Sequence, residues 1–170
     1  MPDTNPSSTD APAPRDLAAD EHSAPDRIRR LLTQQPYGVL CTQGESRPYA
    51  SLVALAASED LKRLVFSTPV ATRKYRLLTE CEHVALLIDS RSASPADVMQ
   101  IEALTVTGSA RVVAPGSEFD SLAGLLTTRH PHLAAFVRAQ SSALVCVEVV
   151  RYFHVCRFQE VRQWVPGSAS

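Results

Sequence analysis

The sequence contains no CxxC pair, no glycine-rich nucleotide loop, no excess of basic residues and no apolar run of membrane-spanning length. Each absence removes a class of function. The four cysteines, Cys41, Cys81, Cys146 and Cys156, stand far apart, so neighbouring thiols form neither a zinc ribbon nor a dithiol redox motif. Three of them, Cys41, Cys146 and Cys156, lie among apolar residues, and the thiols are read as reduced and buried in a core. Six glycines supply neither GxGxxG nor a P-loop, which removes the common nucleotide cradles. A formal net charge of -1 gives no general attraction to nucleic acid or to an anionic membrane. No basic segment followed by an apolar one opens the chain, so a cytoplasmic location is the expectation.

What is present is ordinary globular material. Hydrophobic residues make up 45% and charged residues 21% of 170 positions, enough for one domain with a real core. Met1 to Ala24 is rich in Pro, Ser, Ala and Asp and has almost no large apolar residues, which predicts a disordered tail. The domain is expected over residues 25–166. A helix begins at Pro25-Asp26, with Ile28, Leu31 and Leu32 on one face and Arg27, Arg29 and Arg30 solvating the other. Three strands follow, YGVLCTQ, RPYASLVALAAS and LKRLVFST, the last two joined by a turn at Glu59-Asp60. Residues 72–81 read as a helix with Tyr75, Leu77 and Leu78 inward. HVALLID is a fourth strand, RSASPADVMQIE a polar crossover with a helical turn at Pro95, and ALTVTGSARVVA a fifth strand. A helix capped by Ser117, a short helix PHLAAFVRAQ, and a long bent strand or hairpin through VEVVRYFHVCRF complete the domain. This order is not a regular βαβ alternation. It predicts a mainly β fold, an antiparallel barrel with helices filling its gaps.

One corner concentrates chemistry. The third strand ends in Ser67-Thr68, turns at Pro69, and gives way to a helix that begins Thr72-Arg73-Lys74. Thr72 can cap that helix, whose first N–H groups carry a partial positive charge. Arg and Lys at a helix start oppose the dipole by roughly 0.3–1 kcal/mol each, and a bound anion would reverse that penalty. Two accounts remain open from the residues alone. Either the helix is capped and two cations are solvated, or two hydroxyls, a guanidinium and an ammonium enclose a phosphate.

The ordered set GESRPYASLVALAASEDLKRLVFST, the Thr72-Arg73-Lys74 triplet, EHVALLIDSR and ALTVTGSARVV resembles the pyridoxamine 5'-phosphate oxidase family, the FMN-binding split barrels. The likeness runs from about Ile28 to Val113. It implies a six-stranded antiparallel Greek-key split barrel with peripheral α-helices, working as a homodimer with FMN between subunits. By the same resemblance, Ser67, Thr68, Thr72, Arg73 and Lys74 fall at phosphate-binding positions, and Ser51 and Val53 on the strand that lines the flavin ring. Trp164 lies in the closing segment, which in the family approaches the partner's flavin. The true oxidase carries arginine where Ser51 stands and lysine where Ala56 stands, and its C-terminal Arg-x-His motif is absent here, so the vitamin reaction is not assigned. The chain's ending, with Asp89-Ser90-Arg91-Ser92, is similar to a bacterial subgroup that also resembles haem-utilisation split barrels. An FMN-dependent oxidoreductase acting on a small substrate is the first expectation, with no catalytic acid or base singled out. A non-catalytic flavin or haem carrier, or an F420-dependent reductase, is the alternative.

The remaining polar residues have plainer readings. His130-Pro131-His132 suits a polar turn, and no metal set accompanies it. His154, in an apolar strand, suits a hydrogen-bonded core histidine more than a haem ligand. Asp89, Arg91, Asp97 and Glu102 suit loop ion pairs.

Overall fold

The structure is a computed structural model and describes residues 15–16, 23–44, 46–93, 97–156 and 160–167. Its elements in chain order are β1 (Arg15–Asp16), α1 (Ala24–Gln34), β2 (Tyr37–Gly44), β3 (Arg47–Ala57), β4 (Arg63–Pro69), α2 (Arg73–Glu80), β5 (His83–Asp89), β6 (Ala103–Val112), α3 (Ser117–Arg129), α4 (Ala134–Val137), β7 (Ser142–Cys156) and β8 (Glu160–Trp164). Strands β2 to β7 close into a six-stranded antiparallel barrel in the order β7-β4-β3-β2-β5-β6, because β7 pairs with both β4 and β6. The far half of β7 also carries β8, and β1 adds to β8 in parallel. The expected tail over Met1 to Ala24 lies almost wholly outside the described residues, as does the expected turn at Pro95.

Alternation along each strand fills the barrel. Leu40, Leu55, Leu64, Phe66, Leu86, Ile88, Leu104, Val106, Val147 and Tyr152 form the interior, joined by Ile28, Leu31 and Leu32 of α1 and Leu78 of α2. Each fully buried large side chain of this kind contributes about 1.5–3 kcal/mol. A second cluster lies between α3, α4 and the outside of β3, β4 and β7, where Leu122, Leu126 and Val137 meet Ala56, Val65, Leu144 and Cys146. Helices therefore cover one outer wall of the barrel.

Local chemistry sets the joints. The turn before β4 is held by Asp60, whose carboxylate accepts from the Ser58 hydroxyl at 2.6 Å and the Lys62 N–H at 3.1 Å. Those bonds hold the Asp60 carboxyl below its ordinary range. Leu61 in this turn has φ 58°, a left-handed conformation rare for leucine, and its carbonyl accepts from the buried Tyr152 hydroxyl at 2.7 Å. At α3 the expected Ser117 cap is displaced. Ser117 is the first helical residue, and Gly116 takes the cap position at φ 150°, a backbone open to glycine. The C-terminus of α1 is closed from a distance: the Arg129 guanidinium donates to the carbonyls of Leu32, Thr33 and Gln35.

The histidines correct and refine the sequence reading. His130 is buried rather than part of a polar turn, with its Nε2 3.1 Å from the Leu55 carbonyl oxygen. His154 is fully buried, with Nε2 3.3 Å from Glu102 and Nδ1 without a partner. Glu102 in turn accepts from Arg30 at 2.7 and 2.9 Å, tying α1 to the barrel. Burial pushes His154 below its ordinary pKa, an effect that the Glu102 bond partly offsets and that Arg27 and Arg162 reinforce. The folded state therefore resists a proton that the unfolded state takes up, and stability should fall as pH drops below about 6.5. The slope from this one site is at most about 1.4 kcal/mol per pH unit. Thermal melts of wild type and His154→Gln across that range should diverge, with the variant flatter. Parallel curves would remove His154 from the account.

Candidate functional site

The corner that the sequence singled out lies where β4 hands over to α2. Thr72 is the N-cap of α2, and its Oγ1 accepts from the Tyr75 N–H at 3.4 Å. The same hydroxyl donates to the Pro69 carbonyl at 2.8 Å. Its single proton is thereby used, so the Thr68 hydroxyl, 3.1 Å away, is the donor between the two threonines. The Ser67 hydroxyl donates to the Ala143 carbonyl at 3.0 Å. The three hydroxyls expected around an anion are thus the bonds that shape the turn.

The cations face differently. The Lys74 ammonium is 3.4 Å from the Leu52 carbonyl oxygen on β3, and partial burial lowers its pKa. Among the described residues no carboxylate pairs with it. The Arg73 guanidinium lies over the Tyr49 ring, 5.2 Å from its centroid. Tyr49, Ser51 and Val53 share one side of β3 by alternation. The Ser51 Oγ is buried and has no hydrogen-bond partner. Val53 is only 4% exposed and belongs to the barrel interior, so its backbone, not its side chain, is what a ligand beside β3 would meet.

Lys74 and β3 thus come together through the Leu52 carbonyl, while Ser67, Thr68 and Thr72 shape the turn from β4 into α2. Trp164 is held elsewhere. It pairs with Tyr152 across β7 and β8, with ring centroids 5.7 Å apart, and packs against the interior cluster.

The opposite side of β3 carries a feature that sequence reading missed. Register places Leu52, Val39, Leu87, Thr105 and Phe153 in one row across β3, β2, β5, β6 and β7. Ala50, Cys41, Ala85, Thr107 and Arg151 form the next row. This outer wall is largely apolar, and Leu52 is 66% exposed on it. A cleft of about 580 Å³ opens beside it, lined by Cys41, Pro48, His83, Ala85, Thr107 and Val150 among others. Cys41 therefore lies on the outer wall, half-buried, as are Cys81 and Cys156. Of the four free thiols only Cys146 is in the core as expected. The period-2 pattern of RPYASLVALAAS already separates residues 50, 52 and 54 from 51, 53 and 55, but with apolar residues in both sets it cannot say which set faces in.

The sequence profile described as pyridoxamine 5'-phosphate oxidase matches residues 24–156. The chain belongs to the pyridoxamine 5'-phosphate oxidase family. A search of curated proteins finds no match. Among solved structures, a heme binding protein from Mycobacterium smegmatis is similar at 18% identity and a TM-score of 0.77, covering 86% of this chain and 60% of that one. General stress protein 26 from Bacillus anthracis is similar at 12% identity and a TM-score of 0.63, covering 83% and 97%. An FAD-binding protein from Mesorhizobium loti is similar at 12% identity and a TM-score of 0.62, covering 78% and 94%. At these identities the shared feature is the fold. The protein pairs a closed six-stranded barrel with a strand-to-helix corner that carries Arg73 and Lys74. It lacks the oxidase's own arginine, lysine and Arg-x-His positions, so it is a family member that is not the true oxidase. No described helix is long and apolar enough to cross a membrane.

Proposed function

We propose that this protein binds FMN as a homodimer and acts as an oxidoreductase on a small substrate. The observation that carries the reading is Lys74, an ammonium partly withdrawn from water at a helix start, with a carbonyl as its described partner and no described carboxylate pairing with it. A cation held there lowers its cost by meeting an anion. The donor set fits a phosphate ester: a guanidinium, an ammonium and the first-turn N–H groups of α2. Arg73 and Lys74 would hold the phosphate, and the β3 backbone from Ser51 to Val53 would adjoin the ring. Bound flavin supplies hydride or electron transfer. The chain's own part is to fix the anionic end and to limit access to the ring.

The second copy is proposed on the outer wall of β2, β3, β5 and β6 around the exposed Leu52. An apolar barrel exterior gains from coverage, and a twofold partner presents the same row of residues in return. Leu52→Asp should give a monomer by light scattering, with the circular dichroism of the barrel intact and flavin retention reduced. A dimer that persists in that variant would move the interface elsewhere. Four free cysteines suit a reducing, cytoplasmic setting.

A second reading, a haem or flavin carrier, is favoured by the likeness to the M. smegmatis heme binding protein. His154 is a poor candidate for its ligand, being fully buried and hydrogen-bonded to Glu102. The absorbance and mass of the purified protein's small molecule test both. Flavin bands and an FMN mass support the first reading, a Soret band supports the second, and a single shorter-wavelength band indicates F420. Reduction of the bound flavin by NADH or NADPH then separates an enzyme from a carrier.

A further inference from the structure

We infer that Tyr49 is a positioning residue for the anion corner: its ring holds the Arg73 guanidinium in place and so sets the preference for a phosphorylated ligand over the same ligand without its phosphate. The inference rests on the FMN reading above. Arginine at the first position of α2 is exposed, and an exposed arginine has many rotamers to lose when it binds. The Tyr49 ring restricts that freedom before any ligand arrives, with the guanidinium carbon 5.2 Å from the ring centroid. Where the ring meets the flat face of the guanidinium, the edge of the group stays open. Its N–H groups lie in the plane, at the edge, where an anion is met.

The platform is itself fixed. Tyr49 is half-buried on β3, opposite Thr42 of β2, and the Thr42 hydroxyl donates to the Tyr49 carbonyl at 3.2 Å. It stands two residues before Ser51 and three before Leu52, whose carbonyl is 3.4 Å from Lys74. One strand therefore places both cations of the corner, Arg73 through a ring and Lys74 through a carbonyl. The sequence places this tyrosine in RPYAS without marking its role, because the contact joins residues on two elements separated by β4.

The test is a pair of titrations, FMN and riboflavin, on protein freed of bound ligand, with wild type, Tyr49→Leu, Tyr49→Phe and Arg73→Ala. Loss of a cation–π contact at an accessible site corresponds to about a two- to fivefold change. Tyr49→Leu should weaken FMN by that factor and leave riboflavin unchanged, while Tyr49→Phe keeps the wild-type values. In the Arg73→Ala background, Tyr49→Leu should have no further effect on FMN. Equal weakening of both ligands, or an additive effect with Arg73→Ala, would overturn the proposal. Should Tyr49→Leu fail to fold, Tyr49→Thr removes the ring with a residue suited to a strand, and it carries the same prediction for FMN against riboflavin. Wild type that binds the two ligands equally would instead overturn the phosphate reading itself, and this inference with it.

Discussion

Arg73→Ala combined with Lys74→Ala should strip FMN from the protein while leaving the barrel folded. A charge-assisted hydrogen bond contributes about 1.5–3 kcal/mol, and solvent screening of the exposed Arg73 places it at the low end. Two such losses amount to about 3 kcal/mol, or roughly a hundredfold in affinity. The effect on stability should have the opposite sign. Both cations oppose the α2 dipole, and their removal returns a few tenths of a kcal/mol. Neither side chain belongs to the interior or outer cluster, so packing is untouched. Equilibrium dialysis with FMN, beside a thermal melt of the ligand-free protein, reads both quantities. The double variant eluting with full flavin occupancy would end the assignment of this corner.

The largest effect on stability is expected at Gly108→Ala. A β-carbon there would lie 2.3 Å from the Glu148 carbonyl oxygen, which is backbone and cannot swing aside. Gly108 sits where the β6–β7 register shifts, so that Thr107 faces Arg151 while Gly108 faces Val149. The residue left over is Val150, pushed out at 57% exposure beside the cleft. Adding the methyl group forces the two strands apart, at a cost of about 3 kcal/mol or more. For a domain of this size that is roughly 6–12 °C in Tm. Gly124→Ala is the matched control. Its β-carbon meets nothing within 4 Å and lies inside α3, so it should gain about 0.5–1 kcal/mol. A Gly108→Ala protein as stable as wild type would mean that the bulge relaxes freely.

The sequence was most legible where the chemistry is local. Thr72 capping α2, the Asp60 turn and the strand HVALLID depend on residues within a few positions of one another. Each was read from spacing, and each is present. The same reasoning failed where a distant partner decides. Ser117 is a good capping residue, but Gly116 occupies the position because the chain enters α3 through a backbone open to glycine. His130 looked like a turn residue because nothing nearby announces that Leu55, 75 positions away, supplies its acceptor. Arg129 carried no signal, although it closes α1 from more than 90 positions away. In the candidate site, the cations and hydroxyls were visible as a cluster. Their division of labour was not, since it depends on Ala143 accepting from Ser67 and on β3 lying beside Lys74.

The double role of β7 has a consequence for synthesis. Until residues 142–156 leave the ribosome, β4 and β6 each expose a full row of unpaired amides and carbonyls, and the nascent domain is an open sheet. Closure therefore waits for β7, which completes both remaining seams, one against β4 and one against β6. A premature stop just before Ser142 would leave not a smaller barrel but an open sheet of five strands with two sticky edges, a substrate for chaperones and proteases.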